Sequence, residues 1–128
     1  DTNSVKRFFQ ADPMAFKIKA KCLNDAEFLS GGFIVSKCEG EHPNMQIINS
    51  QAADEFLDIK GIRASIVLAE YEGKTVMSAR SLGEVNVQIL MEKFGGGGHM
   101  TTAGAQLNMP IDQAVKEVKK MLSAMTEE

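Results

Sequence analysis

Between Arg63 and Tyr71 the side chains are almost continuously apolar, with Ile66, Val67, Leu68 and Ala69 in direct succession. A strand that meets water on one face alternates apolar with polar, so an unbroken run belongs to a strand covered on both faces. Glu72-Gly73 turns this run into Lys74–Ser81, and the resulting pair is expected at the centre of a sheet. Covering both faces requires helices on each side. The pattern therefore predicts an α/β sandwich around a mixed sheet of about five strands. The chain has 128 residues, 44% apolar and 24% charged, which suits one domain over 1–128, with residues 1–12 read as a linker.

The remaining elements follow from caps and periodicity. Ser4 caps a short helix through Phe9, and Asp12-Pro13 opens a second that runs to Asn24 or Asp25. Glu27–Ser30 and Phe33–Cys38 read as a hairpin joined at Gly31-Gly32, and a loop follows over Glu39–Asn44. Ala52, Ala53, Phe56 and Leu57 form one face of a helix ending before Gly61. In Lys74–Ser81, alternation puts Val76, Ser78 and Arg80 on one face and Met77, Ala79 and Ser81 on the other. Asn86 caps a helix with the stripe Val87, Leu90, Met91 and Phe94, and Thr102–Asn108 returns as a short strand. Pro110 begins the last helix, whose apolar stripe is Ala114, Val115, Val118, Met121, Leu122 and Met125.

Four consecutive glycines, Gly95, Gly96, Gly97 and Gly98, follow the Phe94 stripe and lead into His99. Read alone, such a run serves as a hinge or a tight helix exit as readily as a binding loop. Bare backbone can also cradle an anion through converging N–H groups, or let a base or sugar approach closely. The run follows a helix and lacks Gly-Lys-Ser/Thr, so neither a P-loop nor a dinucleotide fingerprint applies. Arg80 and Ser81, one loop and one helix upstream, could bring a guanidinium fork and a hydroxyl to the same anion, and His99 a hydrogen bond or proton.

Other chemistries find little support. The carboxylates Asp12, Asp25, Asp54, Asp58 and Asp112 are scattered and the histidines are only His42 and His99, so no metal site is read from this chain. Nothing sets Cys22 or Cys38 with a histidine and an orienting acid, which excludes a recognisable nucleophilic triad. Two cysteines without paired spacing fit a reducing, cytoplasmic setting. No apolar run reaches the roughly 18 residues of a membrane span, and no membrane contact is expected of this domain. A net charge of −3 argues against broad adhesion to nucleic acid and leaves room for a local cationic site. His42, beside Pro43 in a loop expected to be exposed, is assigned no role. The chain opens on Asp1 without methionine, which points to an excised or processed domain.

The stretch Ser78-Ala79-Arg80-Ser81-Leu82-Gly83-Glu84-Val85-Asn86-Val87, followed by Phe94-Gly95-Gly96-Gly97-Gly98-His99 and Ala103-Gly104-Ala105, strongly resembles the C-terminal substrate-binding domain of the DHH phosphoesterases. Its wording is most similar to the membrane-anchored cyclic-di-AMP phosphodiesterases of the GdpP type. The likeness runs from about Ala11 to Met125. It implies a substrate-binding half, with an upstream domain carrying Asp-His-His and the carboxylates for two manganese ions. It implies also that Arg80, Ser81, Gly95–Gly98 and His99 bind the nucleotide across a cleft, with Asn86 at a matching position that the helix cap already explains. The membrane-anchored parent would place this domain on the cytoplasmic side.

The expected function is substrate binding for hydrolysis of cyclic-di-AMP to linear diadenylate. A short-oligonucleotide phosphatase or exonuclease of the nanoRNase or RecJ-like kind shares the same loop and is the nearest rival. A non-catalytic nucleotide-binding module is the rival of another class. Expected partners are the nucleotide and the upstream catalytic domain, with a homodimer left open. No cofactor is expected in this fragment, and the fragment alone is expected to be inactive.

Overall fold

A computed structural model describes residues 12–126. The helix expected over Ser4–Phe9 lies outside that range. Helix α1 spans Pro13–Asn24, and the Asp12 side chain accepts a hydrogen bond from the Ala15 N–H at 2.7 Å to cap it. Strands β1 (Glu27–Leu29) and β2 (Phe33–Cys38) form the expected antiparallel hairpin. Helix α2 (Met45–Phe56) then carries the chain to β3 (Ala64–Tyr71), which lies parallel to β2, as a crossover through a helix permits. β4 (Lys74–Ser81) pairs antiparallel with β3; α3 (Val87–Glu92), β5 (Gly97–Gly98), β6 (Thr102–Leu107) and α4 (Ile111–Thr126) complete the described chain.

The sheet is mixed, in the order β1-β2-β3-β4-β6-β5, with β3 and β4 at its centre. It has six strands where about five are expected. The extra one is β5, two glycines paired to β6. Glycine has poor strand propensity, so only tertiary pairing reveals that strand.

Each face of the sheet carries its own apolar layer. Ile34, Val67, Ala69 and Val76 pack under α1 and α2 with Ile18, Cys22, Ile48, Ala52 and Phe56. Val35, Ile66, Leu68, Met77 and Ala79 face α3 and α4 with Val87, Leu90, Met91, Ala114, Val118 and Leu122. This is why β3 needs no polar alternation: both of its faces are covered. Along α4 the stripe narrows, with Ala114, Val118 and Leu122 buried and Met125 left 38% exposed. Cys22 and Cys38 are both free thiols buried in the α1–β2 layer.

The loop at His42 departs from expectation. Its imidazole is only 6% exposed, with Nε2 2.8 Å from Asp12 Oδ2 and Nδ1 accepting from the Asn44 N–H at 3.0 Å. His42 thus ties this loop to the capped start of α1, a pairing that spans thirty positions and leaves no local trace in the sequence.

Candidate nucleotide-binding site

The glycine run has different physical reasons at successive positions. The N–H of Gly95 donates to Glu92 O at 3.1 Å and that of Gly96 to Met91 O at 2.9 Å, a Schellman closure of α3. Gly95 takes the left-handed conformation this closure requires, at φ 79°. A Cβ on Gly96 would lie 2.1 Å from Gly104 O, and one on Gly98 2.6 Å from Thr102 O, so both positions must be bare for β5 to dock on β6. Gly97 is different. Its φ is not positive and a Cβ there would meet nothing within 4 Å among the described residues. The fold has no need of glycine at position 97, which leaves bare backbone facing open space.

The turn after β5 is closed by the His99 N–H donating to Thr102 O at 2.7 Å. Alternation along the β5–β6 pair then makes Gly98–Ala103 a wide pair, with the Gly98 N–H on the outer edge of the sheet. The same turn is held from two further sides, because Val87 N–H donates to Met100 O at 2.9 Å and Ser81 N–H to Thr101 O at 3.0 Å. The His99 side chain is left exposed.

Arg80 stands in register with Thr102, next to that turn. Its side chain is 13% exposed and lies on the α2 face of the sheet, where Nε donates to Asp54 Oδ1 at 2.9 Å. One terminal nitrogen donates to Ala79 O at 2.9 Å and to Ala103 O at 3.4 Å, which fixes the plane of the guanidinium. The second terminal nitrogen makes no bond among the described residues. An oriented guanidinium with one open edge is suited to an anion.

Ser81 and Asn86 sit elsewhere. Alternation turns Ser81 to the opposite face, where it is buried, donates to Val85 O at 2.6 Å and accepts from Gly83 N–H at 3.3 Å. Its hydroxyl shapes the loop between β4 and α3. Asn86 Oδ1 caps α3 through the N–H groups of Gln88 and Ile89, at 3.0 and 3.4 Å. The structure therefore brings Arg80, Thr102, the glycine run and the His99 turn together, and sets the side chains of Ser81 and Asn86 apart from them.

Beside this cluster the sheet is open. A groove of about 380 Å³ runs between α2 and the β6–β5 edge, lined by Gln46, Ser50, Ser78, Gly96, Gly104 and Gln106 among others. Asp54, Ser50 and Gln46 follow one another at four-residue spacing on α2, so they share one helix face. Sequence reasoning missed all three, and Thr102 with them. The four-residue spacing was the available signal, but nothing local says that it faces a groove. Among the described residues no group of three or more histidine, cysteine or acidic side chains is placed to hold a metal ion. The metal chemistry implied by the resemblance therefore finds no fitting donor set among those residues. No helix among them is long and apolar enough to cross a membrane.

Comparison with known proteins agrees with the motif. The family described as the DHHA1 domain matches residues 30–128. The chain is 35% identical over 123 residues to the cyclic-di-AMP phosphodiesterase PdeA of Listeria monocytogenes, covering 95% of this chain and 18% of that protein. It is 37% identical, with the same coverage, to the cyclic-di-AMP phosphodiesterase GdpP of Geobacillus thermodenitrificans. The bifunctional oligoribonuclease and PAP phosphatase NrnA of Thermus thermophilus is 31% identical over 91% of this chain and 35% of its own length. The chain thus spans less than a fifth of the length of either of these two phosphodiesterases. In fold, it superposes over its whole length on 41% of an exopolyphosphatase-related protein from Bacteroides fragilis, at a TM-score of 0.77 and 18% identity. With this motif, this sheet and these relatives, the chain belongs to the DHHA1 domain family of the DHH phosphoesterases.

Proposed function

We propose that this chain is the substrate-gripping domain of a phosphodiesterase that opens cyclic-di-AMP to linear diadenylate. The observation that carries the reading is the pairing of an oriented Arg80 guanidinium with bare glycine backbone at one end of an open groove. Its support in kind comes from relatives named as cyclic-di-AMP phosphodiesterases at 35% and 37% identity. On this reading Arg80 and the outward N–H of Gly98 hold a phosphate, and the exposed His99 adds a hydrogen bond from the turn. The chain's own residues bind and orient. Manganese and the hydrolytic groups reside in an upstream catalytic domain.

The resemblance to NrnA favours a second reading, in which the same grip serves a short linear oligonucleotide. Assaying the longer polypeptide that carries this chain on cyclic and on linear diadenylate separates the two. Preferential turnover of the cyclic substrate supports the first reading, and preferential turnover of the linear one replaces it with the second. The 128-residue chain alone is expected to be inert on both even with manganese, and metal-dependent turnover by it would refute the division of labour.

A further inference from the structure

The groove beside the phosphate grip has a chemistry of its own. Its polar lining, Gln46, Ser50, Ser78 and Gln106, carries no charge, whereas Arg80 and His99 lie at the strand end next to it. Asn49 is fully buried, and its Nδ2 donates to Val67 O at 2.9 Å, which fixes the orientation of the amide. The other Nδ2 hydrogen goes to Ser78 Oγ at 3.0 Å, so Ser78 accepts there. Asn49 Oδ1 has no partner among the described residues, hence the Ser78 hydroxyl hydrogen does not go to it. Ser50 Oγ lies 3.2 Å from Ser78 Oγ, and either hydroxyl can donate to the other. Only one of the two hydroxyl protons is used between them, and the other is left to donate into the groove that both serines line.

One turn along α2, the Gln46 amide makes no bond among the described residues and lines the same groove, with a donor and an acceptor both available. Opposite them the floor is Gly96 and Gly104, whose lack of side chains leaves a flat surface. Ser78 and Gly104 are in register, as are Gly104 and Gly97, so the bare row crosses the sheet beneath this wall. Arg80 is two residues beyond Ser78 on β4, about 7 Å along the strand. A ribose can bridge that gap.

The geometry points to a nucleobase subsite in this groove, with Ser50 Oγ and the Gln46 amide reading the base edge while the glycine floor packs against its flat face. The inference rests on the phosphate-grip reading above and adds the α2 wall to it. The test is a two-dimensional amide NMR titration of the full chain with adenosine 5′-monophosphate and, separately, with ribose 5-phosphate, which has the phosphate and sugar but no base. Both ligands are expected to move Arg80 and Gly98 signals. Only the nucleotide is expected to move the Gln46 side-chain amide and the Ser50 and Gly104 signals. Gln46→Leu and Ser50→Ala, checked for wild-type spectral dispersion, are each expected to weaken nucleotide binding about three- to tenfold and to leave ribose 5-phosphate binding unchanged. Equal shifts with the two ligands, or unchanged nucleotide affinity in both variants, overturn the base subsite while the phosphate grip stands. If neither ligand moves Arg80 or Gly98, the phosphate grip fails and the base subsite fails with it.

Discussion

Arg80 Nε donates to Asp54 Oδ1 across 2.9 Å, joining the end of β4 to α2 one helical turn beyond Ser50 and two strand residues beyond Ser78, which line the groove. Asp54 is 62% exposed, so the pair contributes less than about 1 kcal/mol to folding. Its larger effect is on orientation. Arg80→Ala removes the guanidinium and is expected to weaken nucleotide binding roughly tenfold or more, the value of a charge-assisted hydrogen bond. Unchanged affinity by calorimetry would sink the assignment of Arg80.

Asp54 also places a negative charge close to where the phosphate is expected. Asp54→Asn keeps an oxygen for Arg80 Nε and removes that charge. At about 5–6 Å in water the repulsion is about 0.7 kcal/mol, so phosphate affinity should rise roughly threefold. The gain should shrink in high salt. Titrating inorganic phosphate at low and high ionic strength checks both the sign and the screening.

The glycines should separate by role. Gly96→Ala drives a Cβ into Gly104 O and should destabilise the fold by about 1–3 kcal/mol. Gly97→Ala meets open space and should leave stability within about 1 kcal/mol while weakening nucleotide binding. Thermal denaturation paired with ligand titration reads the two effects apart. A Gly97→Ala variant that binds normally would mean that no ligand approaches there.

Asn86 and Ser81 are expected to report on stability. Asn86→Ala removes the cap of α3 and should cost about 1 kcal/mol, while Asn86→Asp keeps the cap. Ser81→Ala leaves the buried Val85 carbonyl without its donor and should cost about 1–3 kcal/mol. Denaturant unfolding gives these costs. Nucleotide binding by the folded variants should stay within a few-fold of wild type.

Acid should loosen the start of α1. The Ala15 N–H and then the His42 side chain hold the Asp12 carboxyl below its usual value of 3.8. A carboxylate with a depressed folded pKa stabilises the fold above its unfolded pKa, and that contribution is lost as pH falls through the folded value. Stability from Asp12 should therefore be intact at neutral pH and decline below about pH 4. Asp12→Asn retains an oxygen for the Ala15 N–H and should flatten part of this acid limb, leaving the share of Asp25, whose carboxyl is likewise lowered by Lys21. An identical pH profile in the variant would show that the Asp12 pairing is not populated.

By itself the sequence determined the elements and their layering. An unbroken apolar run at Ile66–Ala69 requires cover on both sides, and the caps at Asp12 and Asn86 are written in adjacent residues, so local chemistry suffices to read them. The motif from Ser78 to Ala105 also determined the family. Tertiary structure alone decided where those motif residues stand and what they touch. Alternation put Arg80 and Ser81 on opposite faces, but only packing showed that Ser81 turns inward to Val85 and that Asp54 orients Arg80. The glycines look alike in sequence and differ once β5 docks on β6, because steric need is set by the atoms opposite each Cα. Gln46 and Ser50 read as an ordinary solvated helix face until the sheet edge places a groove beneath them. Contacts between residues far apart in the chain carry no periodicity, and the candidate site is built from such contacts.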